Sequence, residues 1–435
     1  IGLELGGSYW YNRDLFGGGG ETVEVVIADT EANGNAETGI IGQLSGHSVA
    51  VSLEHLTANN NGDDGIDVMA FAQPTAVLRN DENEGTGEAR IEAYDIVVQN
   101  NAYDGLDLET FTEGPDTPSS VRAEHILATG NGLETGDGRG LDLVAESFGS
   151  NATLEIHDFV ADGNGGGIQA EVAADGDAGN AMLAVTGAAD DDRSTANDNG
   201  NDGIEACVYS ESGDASALFE NLLADDNGDD GIDLCEVWAD GNGALPGDAS
   251  LTFRNVGPAN NGDSGIYLDY GVYAGNGAAA LHAENVDVSG NAEYGFYAYE
   301  TGAAAEGPDA DASVTFDRVY ANNNGDTGIY FDRKIAYAEQ GSAYVDLHNV
   351  TASENSDSGV YAYGGAYAAA NPARDNGLVN IEALFNVTDL QVNDNGEHGF
   401  YIDEEAAAAE YVSAETHYTT VHARDNGEYG VYVGG

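Results

Sequence analysis

The sequence predicts an all-β fold, a right-handed parallel β-helix (a solenoid) of about 13 coils. Three observations carry that expectation. A glycine-anchored motif recurs along the chain, the residues around it alternate apolar and polar with period two, and six of the seven prolines fall between repeats.

The motif is a glycine followed by an apolar residue, usually with an asparagine four positions earlier. It reads Asn-Gly-Asp-Asp-Gly-Ile at 61–66 and 227–232, Asn-Gly-Asp-Ser-Gly-Ile at 261–266 and Asn-Gly-Glu-Tyr-Gly-Val at 426–431. The 13 anchors are Gly39, Gly65, Gly105, Gly140, Gly167, Gly203, Gly231, Gly265, Gly295, Gly328, Gly359, Gly399 and Gly430, spaced 26 to 40 residues apart. After each comes apolar, outward, apolar, as in Ile66-Asp67-Val68 and Ile329-Tyr330-Phe331, which is a strand with one buried face. Ten residues before most anchors a polar residue precedes an apolar one: His55, Asp95, Asn221, Asn255, Asn285 and Asn349. Asn and Asp tolerate the left-handed conformation that a sharp bend needs. Each coil therefore reads as strand, polar corner, short strand, Asn-x-x-x-Gly turn, strand and variable loop.

One such coil cannot bury its apolar positions alone, and stacking does so. At about 4.8 Å per strand, the stack is a rod of about 60 Å. Ile66, Leu106, Leu141, Ile168, Ile204, Ile232, Ile266, Phe296, Ile329, Val360, Phe400 and Val431 then form an internal ladder. Pro74, Pro115, Pro118, Pro246, Pro308 and Pro372 fall in the loops, the longest of which are expected at 69–88, 109–120 and 361–380. Residues 1–20 are expected to be an N-terminal cap or docking segment, and 21–435 the β-helix.

The chain carries 78 Asp and Glu against 12 Lys and Arg, a formal charge of −66. A disordered acidic chain lacks the 41% apolar residues and 23 tyrosines present here, so the acid coats a folded core. Charge of this size opposes compaction unless counter-ions screen it. At about 1 M salt the Debye length is roughly 3 Å, and high Asp and Glu with one lysine fits high salt or bound divalent cations. Nucleic acid and anionic membranes are excluded as partners by like charge, and no apolar run has the length of a membrane span.

Stacking turns each repeat position into a row. Asparagine precedes the glycine by four residues in 11 of 13 coils, as a turn-forming amide row. Two before the glycine lies an acid in 9 of 13, including Asp63, Asp229, Asp263, Glu293, Asp326 and Asp357. Neighbouring charges in that row repel by about 0.9 kcal/mol in bulk water. The plainer reading is a solvated acidic face; the sharper one is a set of Ca²⁺ ligands, since Ca²⁺ takes six to eight oxygens. The outward residue two after the glycine is acidic or Gln in the first half (Asp67, Asp107, Asp142, Gln169, Glu205, Asp233). It then becomes Tyr267, Tyr297, Tyr330, Tyr361, Tyr401 and Tyr432. That strip reads either as a ladder favouring β-structure or as a platform for sugars or a partner. Cys207 and Cys235, each four after a glycine on adjacent coils, are positioned for a disulfide in an oxidising compartment. Asn151, Asn349 and Asn386 head glycosylation sequons.

Over residues 21–435 the chain resembles the pectin-lyase-like superfamily of parallel β-helix repeat proteins, in the form common among secreted proteins of halophilic archaea. The resemblance implies the fold. It spans lyases, hydrolases, epimerases, tailspikes, adhesins and surface proteins, so it implies no single activity. Gly62-Asp63-Asp64-Gly65 is similar to the Gly-Asp-Asp stretch of polygalacturonases but recurs at 228–231 as an ordinary turn. The Asn-Thr-Asp, Gly-His-Gly and Arg-Ile-Lys partners are missing, and no catalytic or cofactor-binding residue is assigned.

Two functions remain. One is an extracellular or cell-surface structural or adhesive rod, a surface, filament or viral-fibre component. It would self-associate, or meet another subunit, at the uncapped last coil ending Gly430-Val431-Tyr432-Val433. The other is a secreted polysaccharide-binding or polysaccharide-degrading protein using the tyrosine strip.

Overall fold

The structure, a computed structural model, describes residues 22–73, 87–133, 136, 138–176, 179–188, 193–241, 246–369, 381–410 and 413–434. The expected segment 1–20 lies outside them. The chain is an all-β parallel β-solenoid, with no helix among the described residues.

The chain divides into two compact units. The first runs to Ile204 and includes Val208–Glu211; the second comprises Glu205–Cys207 and everything from Ser212 onward. In the first, one parallel sheet takes Thr22–Ala28, Ser48–Asn59, Ala89–Gln99, Ser119–Thr129, Ala152–Asp162 and Ala181–Thr186 in that order. The intervening strands Ile40–Gly46, Ile66–Ala72, Leu106–Glu113, Arg139–Phe148 and Gly166–Asp175 form a second sheet. The second unit repeats the scheme. One sheet runs from Ala215–Leu223 to Ser413–Arg424, and the other from Ile232–Ala239 through Ile266–Leu268, Phe296–Ala298, Ile329–Ala338, Val360–Ala369 and Phe400–Glu405 to Val431–Gly434. The strands named thus alternate between sheets, and every ladder between them is parallel, the signature of stacked coils.

Register pairs equivalent residues: Ile66 with Leu106 with Leu141 in the first unit, and Ile232 with Ile266 with Phe296 with Ile329 in the second. All of these are buried. Val431 pairs with Phe400 but is 46% exposed, because among the described residues no further coil covers it. Segments 69–72, 109–113 and 361–369, expected as loop, continue as strand. Their buried inward residues are small (Ala70, Ala72, Thr110, Thr112, Ala366, Ala368), so they carry no strong apolar signal.

A buried asparagine row holds the turns together. Asn61 Oδ1 accepts from the Asn35 backbone N–H at 3.0 Å and Nδ2 at 2.8 Å, and Asn101 Oδ1 does the same for Asn61. In the second unit the row runs Asn227, Asn261, Asn291, Asn324, Asn355, Asn395, Asn426. This explains the anchor glycine. A Cβ on Gly295 would lie 2.5 Å from Gly328 O and 2.8 Å from Asn324 Nδ2, so a side chain there would evict the amide of the next coil. Two coils lacking the Asn-x-x-x-Gly spacing still fill the row. Asn131 and Asn164 occupy it, at 2.9–3.3 Å from their neighbours.

The corners are left-handed, as the polar residues anticipate: His55, Asp95, Asn221, Asn255, Asn285 and Asn349 all have φ between 52° and 57°. A second left-handed position immediately precedes the row asparagine, at Asn60, Asn100, Asp226, Asn260, Asn323 and Asp394. Asn and Asp adopt it at little cost.

Replacing Asn291 by Ala strands the buried Asn261 backbone N–H. It is expected to cost about 2–4 kcal/mol in urea unfolding, whereas Asn393→Ala, outside the row, is expected to cost under about 1 kcal/mol. Equal losses would remove the row from its structural role.

Candidate functional site

Side chains facing outward on the second sheet of each unit carry the chemistry, because strand alternation sends every other residue away from the core. Cys207 and Cys235 lie there, joined as a disulfide with Cα atoms 5.3 Å apart.

In the second unit, from Gly265 onward, the residue two after each anchor glycine forms a continuous tyrosine column. Ring centroids are 5.3 Å apart for Tyr267–Tyr297, 5.2 Å for Tyr297–Tyr330, 5.1 Å for Tyr330–Tyr361 and Tyr361–Tyr401, and 4.7 Å for Tyr401–Tyr432. From Tyr330 onward the planes lie within 8–15° of parallel, so each ring covers the face of the next and presents its edge outward. His398 stacks on Tyr401, and Tyr294 packs against Tyr297 and Tyr330.

The hydroxyls are hydrogen-bond donors. Tyr267, Tyr330 and Tyr401 donate to Asp269 (3.4 Å), Asp332 (3.0 Å) and Asp403 (3.2 Å). Burial, then nearby carboxylates, raise the phenols of Tyr267, Tyr297, Tyr330, Tyr361 and Tyr401, with Tyr297 and Tyr401 pushed up to about 12, so these five stay protonated. More exposed rings occur one column over. Tyr299 is 47% and Tyr363 44% exposed, and the Tyr299 ring stands edge-on to Tyr297 at 89°.

The acids two before the glycine also form a column in the second unit. Backbone hydrogen bonds of 2.8–3.0 Å run from Asp263 to Asp229, Glu293 to Asp263, Asp326 to Glu293 and Asp357 to Asp326. Asp263 raises the Glu293 carboxyl by charge, and burial raises Asp326. Hydroxyls of Ser264, Thr327 and Ser358 donate to Asp263, Asp326 and Asp357. Asp63 lies in the first unit.

There the strongest electrostatic feature is a carboxylate cluster. Register aligns Asp67, Asp107 and Asp142, with Glu109 beside them. Asp64 Oδ1 accepts from the Asp104 N–H (3.0 Å), Asp104 Oδ1 from the Arg139 N–H (2.6 Å), and Arg139 reaches Asp142 at 3.5 Å. Burial first, then neighbouring acids, push Asp64 up to about 6, Asp67 to about 7 and Asp107 to about 9; burial likewise lifts Asp104 to about 7. Asp107 Oδ1 is buried without a hydrogen-bond partner among the described residues. The cluster can retain protons at neutral pH or offer a hard cation oxygen donors only.

A further row of the first unit lies at the left-handed corner, where acids and histidines alternate. His55 sits 3.7 Å from Asp29 and 3.5 Å from Asp95, and His125 sits 3.6 Å from Asp95 and 3.5 Å from Asp158. Its sequence signal was the corner position itself. Of the sequon residues, Asn151 is exposed and accepts from the Asn180 N–H, Asn349 is a left-handed corner, and Asn386 points outward from a strand.

No protein-family model matches the chain, and no curated protein matches it. Among solved structures it is similar to a crystal structure of the periplasmic alginate epimerase AlgG, over 87% of this chain and 78% of that one. The sequence identity is 11% and the TM-score 0.39. Among the described residues no helix is long and apolar enough to cross a membrane.

The cluster makes stability depend on pH with a defined sign. Carboxyls raised by folding bind more protons folded than unfolded, so stability is fullest below about pH 4 and declines as pH rises through the folded values. In low salt without divalent ions, the melting temperature is expected to fall between about pH 5 and pH 8. Asp107→Asn is expected to raise it at pH 8 and flatten the slope. A melting temperature that climbs with pH over this range would contradict the assignment.

Proposed function

We propose that the protein is an extracellular carbohydrate-binding β-solenoid that engages polysaccharide on the outward face of the second unit. The observation that supports this is the tyrosine column, in which Tyr267, Tyr330 and Tyr401 donate to Asp269, Asp332 and Asp403, flanked by the exposed rings of Tyr299 and Tyr363. Carboxylates accept sugar hydroxyls, and tyrosine supplies an apolar face with a polar tip. The disulfide fits an oxidising location outside the cytosol. The surface acid suits concentrated salt, which screens it.

The acidic rows would hold Ca²⁺ through Asp63, Asp229, Asp263, Glu293, Asp326 and Asp357, and through the Asp67–Asp107–Asp142 cluster. The oxygen-only donor set fits a hard cation. Repeating the pH melts with Ca²⁺ and with NaCl at matched ionic strength separates the cases: flattening by Ca²⁺ alone supports sites, and equal flattening shows screening only.

A second reading, a self-associating structural or adhesive component, draws on the last described coil. There the inward-facing Val431 and Val433 are 46% and 38% exposed. In that case sedimentation shows concentration-dependent polymers.

Electrophoresis through gels cast with neutral or uronic polysaccharides tests the first reading. Retardation is expected, weakened about tenfold in Tyr299→Ala and Tyr363→Ala, whose removal costs aromatic contact worth about 1 kcal/mol or more each. Free migration of the native protein in every gel would refute it.

A further inference from the structure

We infer that the column Asp269–Tyr299–Asp332–Tyr363–Asp403 is a binding track for an extended, neutral, β-linked polysaccharide, one sugar to a coil and two sugars to a repeat. The inference rests on the carbohydrate-binding reading above and names its ligand.

Register sets the column. Leu268 pairs with Ala298, Ala298 with Phe331, Phe331 with Ala362 and Ala362 with Ile402. The residues that follow them, each four after its anchor glycine, stand just past those pairs, with a register shift between Phe331 and Lys334, and in coil order they alternate: carboxylate, ring, carboxylate, ring, carboxylate. The alternation extends to their hydrogen bonds. On the three carboxylate coils, the tyrosine two residues earlier donates to the acid. On the coil of Tyr363 the acid partner is instead Glu404, which accepts from the Tyr363 hydroxyl itself. Each carboxylate has about four acceptor sites, and one tyrosine donor leaves the others facing solvent beside an exposed ring.

The repeat length selects the polymer. Like groups recur every second coil, about 9.6 Å apart at ordinary strand spacing. An extended β-(1→4)-linked pyranose chain advances by about one strand spacing per sugar and turns each ring over relative to the last. Its like faces therefore recur at every second sugar. Laid along the column, the chain brings the same ring face to Tyr299 and Tyr363 and its intervening hydroxyl edges to Asp269, Asp332 and Asp403. An α-linked glucan coils and cannot keep this register beyond a sugar or two. Uronic polymers would bring further negative charge to a chain already at −66.

The test is calorimetric titration with β-(1→4)-linked oligosaccharides of two to six sugars, with α-linked gluco-oligosaccharides of the same lengths alongside. Affinity is expected to rise in steps on completing four and then six sugars, and to exceed that of the α-linked series about tenfold or more. The double variant D332Y/Y363D keeps the composition but breaks the alternation; it is expected to lose the preference and about tenfold in affinity at an unchanged melting temperature. Tyr299→Ala gives a second readout should the double variant fold poorly. Equal affinity for α- and β-linked series, or an unaltered profile in a folded D332Y/Y363D, overturns this inference while the carbohydrate-binding reading stands. If neither series nor any polysaccharide binds, both fall.

Discussion

The buried asparagine row is the constraint on which the rest of the structure depends. Each side-chain oxygen accepts two hydrogen bonds from the coil before, one from the backbone and one from the amide of its own kind. Buried polar groups are costly unless paired, so a coil cannot slip by a residue without stranding both donors. The anchor glycines follow from this. They are glycine because the neighbouring amide and carbonyl already occupy the space of a Cβ.

With register held from within, the outward columns are free to differ between units. In the first they carry crowded carboxylates; in the second they carry stacked tyrosines beside alternating acids. Stacking amplifies either choice, because a residue type placed once per coil becomes a row with one strand spacing between members. A row of acids accumulates repulsion and retains protons, whereas a row of rings gains contact. The proposed carbohydrate track uses the second arrangement, and the proposed cation sites use acidic rows in both units.

Much of the fold was legible because glycine, asparagine and the apolar ladder recur together. Where one spacing changed, legibility failed. Asn131 lies nine residues before Gly140 and Asn164 three before Gly167, so counting back four from the glycine overlooked both, although space assigns them to the same row. The strand extensions at 69–72 and 361–369 were hidden by alanine and glycine, which carry little periodic signal. For the site, the tyrosine column was readable, but its face-to-face stacking was not, and the more exposed rings are those of Tyr299 and Tyr363. The alternation of Asp269, Tyr299, Asp332, Tyr363 and Asp403 stood in the sequence four residues after each glycine. It gains meaning only once those positions are known to be adjacent. Proton retention by Asp107 depends on burial, which spacing does not reveal.

The most direct test of this account transplants the native cross-link along its own column. Cys207 and Cys235 stand four residues after their glycines, as do Asp269, Tyr299 and Asp332. In D269C/Y299C, one coil apart, mass spectrometry after alkylation should find a second disulfide and no free thiol; in D269C/D332C, two coils apart, it should find two free thiols. Free thiols in the first protein, or an intramolecular bridge in the second, would contradict the in-register stack.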